Sequence, residues 1–442
     1  MKLRVIRCAE EDPRPVLRRR GVLGDESVTT VVRGILSDVR IRGEAAILDQ
    51  VRRFDAPQAT HVWATEEEID SATPEARFAE AIDAAAARIR AFHETQRDKI
   101  VGSLTPISSG GWEWHNSQSH GGTLGQRVLP LSRVGVYAPG GNAIYPSSVL
   151  MNAIPAMAAG VPEVILATPP RHDGTLAPEV LYAAKILGIR RVIKAGGAAA
   201  LGGLVFLAEV DKIVGPGNRY VNEAKRQLWG QVGLDGYAGP SEVCVVVDDS
   251  TQPAFAAADF LTQIEHAPDN QGFLVALTES SLANVCKEIE RQLETAPRRD
   301  TMLEAIEKGS LGILARTAEE ALELINLIAP EHITVAANID TYRIQNAGCI
   351  LLGEWSPESG GDFAFGPSHT LPTARAARFG SPVNILDFLK VQSVVALSSQ
   401  EEFMQVAPLI EAFGEMEGFP AHAAGATIRY GAPYRDETPE HR

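Results

Sequence analysis

The order of apolar and polar positions divides the chain into a helical start, two stretches where strands alternate with helices, and a helical end. Up to about His93, apolar residues recur every three or four positions with charges between them, which predicts amphipathic helices. From Arg133, short apolar runs such as VGVYA and VILAT alternate with longer helical patterns. The alternation restarts after AGPSE with VCVVVDD, and beyond Leu397 the pattern is helical again. Such alternation predicts βαβ units and parallel sheets.

The predicted fold class is therefore α/β, with two Rossmann-like doubly wound domains and helical N- and C-terminal segments. A chain of 442 residues is long enough to bury more than one core. The formal net charge of −15 makes nucleic acid or an anionic membrane a poor partner. The first residues are too polar for a signal peptide and no apolar run is long enough to span a bilayer, so we expect a cytoplasmic protein.

The four cysteines are scattered along the chain and contain no C-x-x-C pair, which argues against a disulfide framework or a thiolate zinc site. A different set of ligand-type residues is present. Gln263 and His266 close an apolar helical run and share one face of it, because they are three residues apart. Asp362 and His422 follow far downstream. An amide oxygen, two imidazoles and a carboxylate would suit zinc, although this spacing alone is more typical of a structural histidine at the surface or in the core.

Two glycine-rich turns, Gly140-Gly141 and Gly215-Pro216-Gly217-Asn218, each follow a predicted strand and precede a helix. Backbone amides there could cradle a phosphate, but neither turn has the G-x-G-x-x-G pattern, so plain tight turns remain open. Glu331-His332 is an adjacent acid and imidazole that could divide proton transfers, or an exposed loop end. Ser241 could act at a site or simply turn the chain.

These segments together resemble the histidinol dehydrogenase family. The matching motifs are LTQIEHAPDNQ, VGVYAPGG, GPGN, AGPSEV, APEH, WSPESGGD, SHTLPT and ARFGSP, and they extend in the family's order from about Val31 to Arg429. The resemblance implies an NAD-dependent alcohol and aldehyde dehydrogenase of histidine biosynthesis. Such an enzyme would oxidise L-histidinol through L-histidinal to L-histidine, with Zn²⁺ and two NAD.

The resemblance also implies roles for individual residues. His332 would be the base for alcohol oxidation, and Glu331 would activate water at the aldehyde stage. Zn²⁺ would be held by Gln263, His266, Asp362 and His422. The substrate would contact Ser241, Gln263, His266, His332, Asp362, His369, Glu417 and His422. NAD would contact Tyr137 and Asn218, and a third contact falls on Ala199, where the family usually has glutamine.

For the domains, the resemblance implies an insertion of one α/β domain in the other. We expect an N-terminal helical segment at 1–30 and a first, discontinuous α/β domain at 31–133 plus 243–385. The inserted, cofactor-binding α/β domain would cover 134–242. The helical segment at 386–442 would cross to the partner in a homodimer, so that each active site is shared by two chains.

Three departures from the family's pattern leave alternatives open: Ala199, Tyr237 in the run Leu234–Tyr237, and Phe365 where a small residue is usual. The chain could be a paralogous NAD-dependent dehydrogenase of another small amino or hydroxy alcohol, or a weakly active metal-binding homologue. The other histidines match no family site and are predicted at the surface, namely His61, His93, His115, His120, His172 and His441.

Overall fold

A computed structural model describes residues 3–18, 26–116, 122–140, 143–237 and 239–430. Its strands are β1 (Arg4–Arg7), β2 (Thr105–Pro106), β3 (Trp112–Asn116), β4 (Thr123–Pro130), β5 (Arg133–Tyr137), β6 (Glu163–Thr168), β7 (Val192–Lys194), β8 (Lys212–Val214), β9 (Gly233–Leu234), β10 (Glu242–Val247), β11 (Gln271–Ala276), β12 (Leu311–Leu314), β13 (His332–Val335), β14 (Cys349–Leu352) and β15 (Leu389–Ala396).

The α-helices are α1 (Arg14–Arg18), α2 (Glu26–Arg42), α3 (Glu44–Phe54), α4 (Glu66–Asp70), α5 (Ala76–Val101), α6 (Pro146–Ala158), α7 (Pro178–Ile186), α8 (Gly197–Phe206), α9 (Arg219–Leu228), α10 (Pro253–Ile264), α11 (Glu279–Leu293), α12 (Arg299–Gly309), α13 (Ala318–Ile328), α14 (Glu358–Phe363), α15 (Gln400–Met416) and α16 (Pro420–Thr427). The chain forms two compact units. The first combines Met1–Arg97 with Leu131–Phe388, and the second combines Asp98–Pro130 with Leu389–Arg442.

The first unit contains two parallel sheets of the same winding. One has the order β7-β6-β5-β8-β9, and the other has the order β1-β12-β11-β10-β13-β14. When the strands are numbered along the chain, starting at β5 in the first sheet and at β10 in the second, both sheets have the order 3-2-1-4-5. The second sheet has one more strand, β1, beside β12. All pairings within these two sheets are parallel. The predicted α/β fold with doubly wound sheets is therefore confirmed.

Strand β10 shows why these segments form central strands. Its sequence EVCVVV is buried at every position, as expected for a parallel strand that has helices on both faces. Val243, Val245 and Val247 belong to a core with residues of α10 and α11. Cys244 and Val246 belong to a second core with residues of α13. The alternation follows from the two-residue period of a strand.

Both terminal segments contain a strand, although only helices were predicted there. Arg4–Arg7 forms β1, which pairs in parallel with Leu311–Leu314 of β12. Leu389–Ala396 forms β15, which pairs antiparallel with β4 in the second unit. The short apolar runs in these segments, such as Val5-Ile6, are β-branched and complete an existing sheet edge. An edge of this kind is created by the tertiary fold, so the local pattern did not indicate it.

The second unit contains an antiparallel sheet in the order β15-β4-β3-β2, together with helices α15 and α16. Gly414 of α15 allows the two helices to approach closely, because a Cβ there would lie 2.5 Å from the backbone nitrogen of Ala423. Within the described ranges, no helix has the length and apolar composition needed to cross a membrane.

A buried ion pair fixes the GPGN turn at the carboxyl end of β8. Lys225 Nζ donates to Gly215 O at 2.7 Å and to Asp235 Oδ1 at 2.6 Å. Asp235 Oδ2 accepts from the nitrogen of Gly215 at 2.8 Å. Gly215 has a φ of 122°, and a Cβ there would lie 2.1 Å from the carbonyl oxygen of Tyr137. The turn is therefore held against the end of β5, where the strand order reverses.

We expect Asp235→Asn to lower the free energy of unfolding by about 3–5 kcal/mol, because it leaves the buried Lys225 without its counter-charge. The side chains of Lys225 and Asp235 are 1% and 5% exposed. The control is Glu304→Gln, which removes the exposed i,i+4 partner of Lys308 and should leave the free energy of unfolding nearly unchanged. Urea unfolding of both variants tests this, and equal losses would contradict the importance of the buried pair.

Candidate active site

The candidate catalytic pair lies at the amino ends of the strands of the second sheet. His332 begins β13 and pairs in register with Val243 of β10 and Cys349 of β14, so it lies between two strands and is 1% exposed. Glu331 is also buried, and its Oε2 accepts from the backbone nitrogen of Glu242 at 2.9 Å. That amide is the first of β10. The alternative of an exposed loop end therefore does not hold for either residue.

Two carboxylates of α14 face this imidazole. Glu358 and Asp362 share a helix face because they are four residues apart. Glu358 Oε1 lies 3.4 Å from His332 Nδ1, and Asp362 Oδ1 lies 3.4 Å from His332 Nε2. Glu358 is fully buried, and Asp259 Oδ1 accepts from its backbone nitrogen at 3.0 Å. The imidazole is thus bracketed by an acidic group on each ring nitrogen.

Gln263, near the end of α10, completes the cluster. Its Nε2 donates to Asp362 Oδ2 at 3.1 Å and forms a short contact with Glu358 Oε1. The amide hydrogens are directed at carboxylates, which leaves the amide oxygen available to a ligand. Asn270 Nδ2 donates to the backbone oxygen of Gln263 at 2.7 Å, and Asn270 Oδ1 accepts from the nitrogen of Ser241 at 3.1 Å. Asn270 therefore connects Gln263 to Ser241.

Burial and the charges of neighbouring groups shift the pKa values of the residues in this cluster. Burial alone would lower the pKa of His332, but its contact with Asp362 and the charge of Glu358 outweigh that effect and raise the pKa to about 9. Burial raises the pKa of Glu331 to about 8 and that of Glu358 to about 7. Burial would also raise the pKa of Asp362, but the contact with His332 holds it below its usual value. Perturbations of this kind concentrate at functional sites.

Two further histidines belong to the same surroundings. His369 has a buried Nε2 without a hydrogen-bond partner in the described part of the chain, and burial lowers its pKa. His266 is exposed at the end of α10. Its charge lowers the pKa of both Asp362 and His369, so the three side chains act on one another.

The structure thus brings seven of the predicted residues together in the first unit: Ser241, Gln263, His266, Glu331, His332, Asp362 and His369. Glu417 and His422 lie in the second unit, where both are exposed. Glu417 follows α15, and the His422 ring lies 5.3 Å from the ring of Phe419. Sequence reasoning missed Glu358 and Asn270. The four-residue spacing from Glu358 to Asp362 was the available signal for the former.

The donor set fits a divalent cation. Ligand atoms of His332, Glu358 and Asp362 all lie within 4.8 Å of one another. Glu358 Oε2 is buried and has no hydrogen-bond partner among the described residues. A buried carboxylate oxygen without a donor is unfavourable unless a cation or ligand satisfies it. Oxygen atoms and imidazole nitrogens are donors that hard to borderline metal ions accept.

The residues expected at the cofactor lie at the carboxyl ends of the first sheet. Tyr137 ends β5, its hydroxyl accepts from the nitrogen of Gly197 at 3.2 Å, and burial raises its pKa to about 12. Asn218 caps α9, where its Oδ1 accepts from the nitrogens of Tyr220 at 3.0 Å and Val221 at 3.2 Å. Ala199 is 4% exposed in the first turn of α8. Gly141 lies outside the described residues.

The segment that carries His369 connects the two sheets. Thr370 Oγ1 donates to Asn152 Oδ1 of α6 at 3.1 Å. Further along, the backbone nitrogen of Ala374 donates to Glu242 Oε1 at 3.2 Å. Helix α6 follows β5 of the first sheet, and Glu242 begins β10 of the second. One segment therefore contacts both a helix that packs on the first sheet and the first residue of the central strand of the second sheet.

Phe365 packs away from the carboxylates of α14. A Cβ at Gly360 would lie 2.3 Å from the ring of Phe365, so the ring rests on this glycine. Gly360 is two residues from both Glu358 and Asp362, which places it on a different face of the helix. Tyr237 is 42% exposed. From these observations, Phe365 and Tyr237, which differ from the family's pattern, do not belong to the acidic cluster.

The surface prediction for the remaining histidines is wrong for His93. It is 1% exposed on α5, with its Nδ1 3.1 Å from Gln96 Oε1 and its ring edge-on to Phe92. His93 lies on the apolar face of an amphipathic helix, so it is buried with that face. His61 and His115 are partly exposed and His172 is exposed, whereas His120 and His441 lie outside the described residues.

Comparisons with known proteins identify the family. The family model described as histidinol dehydrogenase matches residues 18–430. A histidinol dehydrogenase of Cupriavidus pinatubonensis is 42% identical over 443 aligned residues, covering 96% of this chain and 97% of its own. One of Bacillus subtilis is 41% identical and covers 97% of this chain and 99% of its own.

A solved structure agrees with these sequence relatives. The crystal structure of histidinol dehydrogenase from Elizabethkingia anophelis is 32% identical, with a TM-score of 0.87, and covers 97% of this chain and 98% of its own. The resemblance read from the motifs is thereby confirmed over nearly the whole chain. The chain therefore belongs to the histidinol dehydrogenase family, a family of oxidoreductases.

Proposed function

We propose that this protein oxidises L-histidinol through L-histidinal to L-histidine, with two NAD consumed, as a step of histidine biosynthesis. The observation that carries the proposal is the buried pair Glu331-His332, in which His332 is surrounded by Gln263, Glu358 and Asp362. A carboxyl group and an imidazole on neighbouring residues can carry out two successive proton transfers, so the substrate need not move to a second site. The sequence relatives named as histidinol dehydrogenases support this substrate.

In the first oxidation, His332 accepts the proton of the alcohol hydroxyl. In the second, Glu331 removes a proton from the water that adds to the aldehyde carbon. Burial raises the pKa of Glu331 to about 8, which allows this carboxyl group to take up and release a proton near neutral pH. Because the pair is buried, the aldehyde can remain enclosed between the two oxidations.

Gln263, His266, Asp362 and His422 would hold Zn²⁺, and of these residues Gln263 and Asp362 lie in the acidic cluster. When bound, the ion supplies a positive centre that anchors the imidazole and amine nitrogens of the substrate. Asp362 and Glu358 are the groups that raise the pKa of His332. A cation beside them would offset their charge, and His332 would then be free to accept a proton.

Tyr137, Asn218 and the first turn of α8 at Ala199 would bind NAD, at the point where the order of the first sheet reverses. NAD supplies the hydride acceptor for both oxidations. Ser241, His369 and Glu417 would contact the substrate. A carboxylate such as Glu417 suits the cationic groups of an amino alcohol.

We further propose a homodimer in which residues 386–442 complete the partner's site. The described helices of the second unit expose many large apolar side chains: Met404, Leu409, Phe413, Met416, Phe419 and Ile428, each between 45% and 76% exposed. Apolar surface of this extent is typical of a face that another protein covers. All four cysteines are free, which fits a reducing compartment such as the cytoplasm.

The second candidate is a paralogue that oxidises another small amino or hydroxy alcohol, and Ala199 favours it because a buried alanine offers no polar group to a cofactor. A weakly active homologue is the third. Turnover of histidinol with NAD, after zinc has been added to the purified protein, separates them. Two reduced cofactors per histidine support the main proposal. Turnover of other alcohols alone supports the paralogue, and no turnover supports the third.

The metal prediction concerns His266→Ala and His422→Ala. Each should lower bound zinc well below one ion per chain, because imidazole is a strong zinc ligand at about 2.0–2.1 Å. The matched control is His172→Ala, which removes an exposed histidine from outside the cluster. Metal content after gel filtration is the measurement. Full zinc occupancy in both variants would show that His266 and His422 are not zinc ligands.

The acid–base prediction separates the two oxidations. His332→Ala should slow oxidation of the alcohol by about 10²–10⁴-fold, the usual effect of losing a general base. Glu331→Gln should slow oxidation of the aldehyde more than that of the alcohol, because glutamine cannot take a proton from water. Each variant is supplied with histidinol and histidinal separately. If both variants slow both steps to the same extent, the division of roles is wrong.

The assembly prediction uses complementation. His332→Ala and His422→Ala proteins, each inactive, should regain activity when their subunits exchange, because one site of each mixed dimer has both residues intact. About half of the dimers are mixed, so roughly a quarter of the sites should recover. The control pair, His332→Ala with His266→Ala, has both changes in the first unit and should recover nothing. Confirmed subunit exchange without recovery in the first pair would refute shared sites.

A further inference from the structure

Asp55 is an acidic residue with an unexplained environment. It follows α3 and is partly buried. No group in the described ranges donates a hydrogen bond to its carboxylate, and burial raises its pKa to about 6. Asp55 thus keeps partly shielded acceptor oxygens that a ligand with hydrogen-bond donors could reach.

The carboxylate faces the loops where the cofactor residues lie. A Cβ at Gly196 would lie 3.7 Å from Asp55 Oδ1 and 3.0 Å from Pro169 Cβ. Gly197, the next residue, donates its backbone N–H to the hydroxyl of Tyr137. The charge of Asp55 also contributes to the raised pKa of Tyr137, after burial and against that hydrogen bond. Asp55 thus borders the turn between β7 and α8, beside Tyr137.

The end of the neighbouring strand β6 can be compared with the strand end that binds ribose in other dinucleotide-binding domains. In doubly wound dinucleotide-binding domains, an acidic residue about twenty positions after the glycine turn accepts from the ribose hydroxyls. Here the second strand of the winding, β6, ends at Thr168 and is followed by Pro169, Pro170 and Arg171. Pro169 packs against Gly140 of the first turn, 2.6 Å from where a Cβ would lie. None of the first three residues after this strand is acidic, Asp173 further along the loop accepts from Thr175, and Asp55 approaches the strand end from the end of α3.

The chemistry of the carboxylate restricts the group it could bind. An anionic acceptor repels phosphate and attracts hydroxyl or amino donors. Two vicinal hydroxyls match the two oxygens of one carboxylate. We propose that Asp55 accepts hydrogen bonds from the vicinal hydroxyls of a ribose of the dinucleotide, and thereby selects against a 2′-phosphorylated cofactor. This rests on the proposed use of NAD and adds a binding residue and a cofactor preference to it.

The experiment measures dissociation constants of NAD and NADP for the purified, zinc-containing protein and for Asp55→Asn and Asp55→Ser. We expect the dissociation constant of NAD to rise about tenfold in each variant, the effect of losing hydrogen bonds to a charged group. That of NADP should rise less or fall, and the KM for histidinol should not change. Asp49→Asn is the control, because Asp49 lies on the same helix in an exposed ion pair with Arg42.

Thermal unfolding without cofactor distinguishes a binding role from a structural one. Removal of an unpaired, partly buried charge should leave the melting temperature unchanged or raise it. If both variants melt lower and lose NAD and NADP equally, Asp55 is structural and the inference is overturned. Unchanged NAD affinity in the variants also overturns it, while the proposed function stands. If the unaltered protein binds no NAD, the proposed function fails as well.

Discussion

The central constraint on this structure is a buried imidazole whose two ring nitrogens face carboxylates. His332 is held by strand pairing on both sides, so its position is fixed by the register of β13 with β10 and β14. Helix α14 must then approach with Glu358 and Asp362 on one face, and α10 must end where Gln263 reaches both. Several acidic groups so close together are stable only with protons or a cation among them. The raised pKa values of His332, Glu331 and Glu358 show that protons held within the cluster can balance its acidic groups.

The two doubly wound sheets use opposite edges. In the first sheet, Tyr137 and the glycine turns lie at carboxyl ends, where ligands of such folds usually bind. In the second, Glu331 and His332 lie at the amino end, where the first backbone N–H groups of the strands can donate to side chains. Glu331 accepts from one of them, the nitrogen of Glu242. A carboxylate and an imidazole are thus fixed by the strands of the sheet itself, rather than by a flexible loop.

The sequence was informative where the signal is local or where motifs are long. Strand–helix alternation predicted both parallel sheets, and the motifs identified the family. Strands β1 and β15 were not predicted, because each is stabilised by an edge that only the folded protein provides. Glu358 was missed although it lies four residues before Asp362, because that spacing gains its meaning only when α14 forms and packs against β13. His93 shows the reverse case, since its amphipathic helix was recognised but its own burial was not.

The contact between Gly360 and Phe365 restricts how this part of the chain could have evolved. A Cβ at position 360 would lie 2.3 Å from the aromatic ring, closer than atoms can approach. An aromatic residue at 365 is therefore compatible with glycine at 360 and incompatible with any larger residue there while the ring keeps its place. The residue types at positions 360 and 365 are therefore coupled, because both use the same space on one face of a six-residue helix.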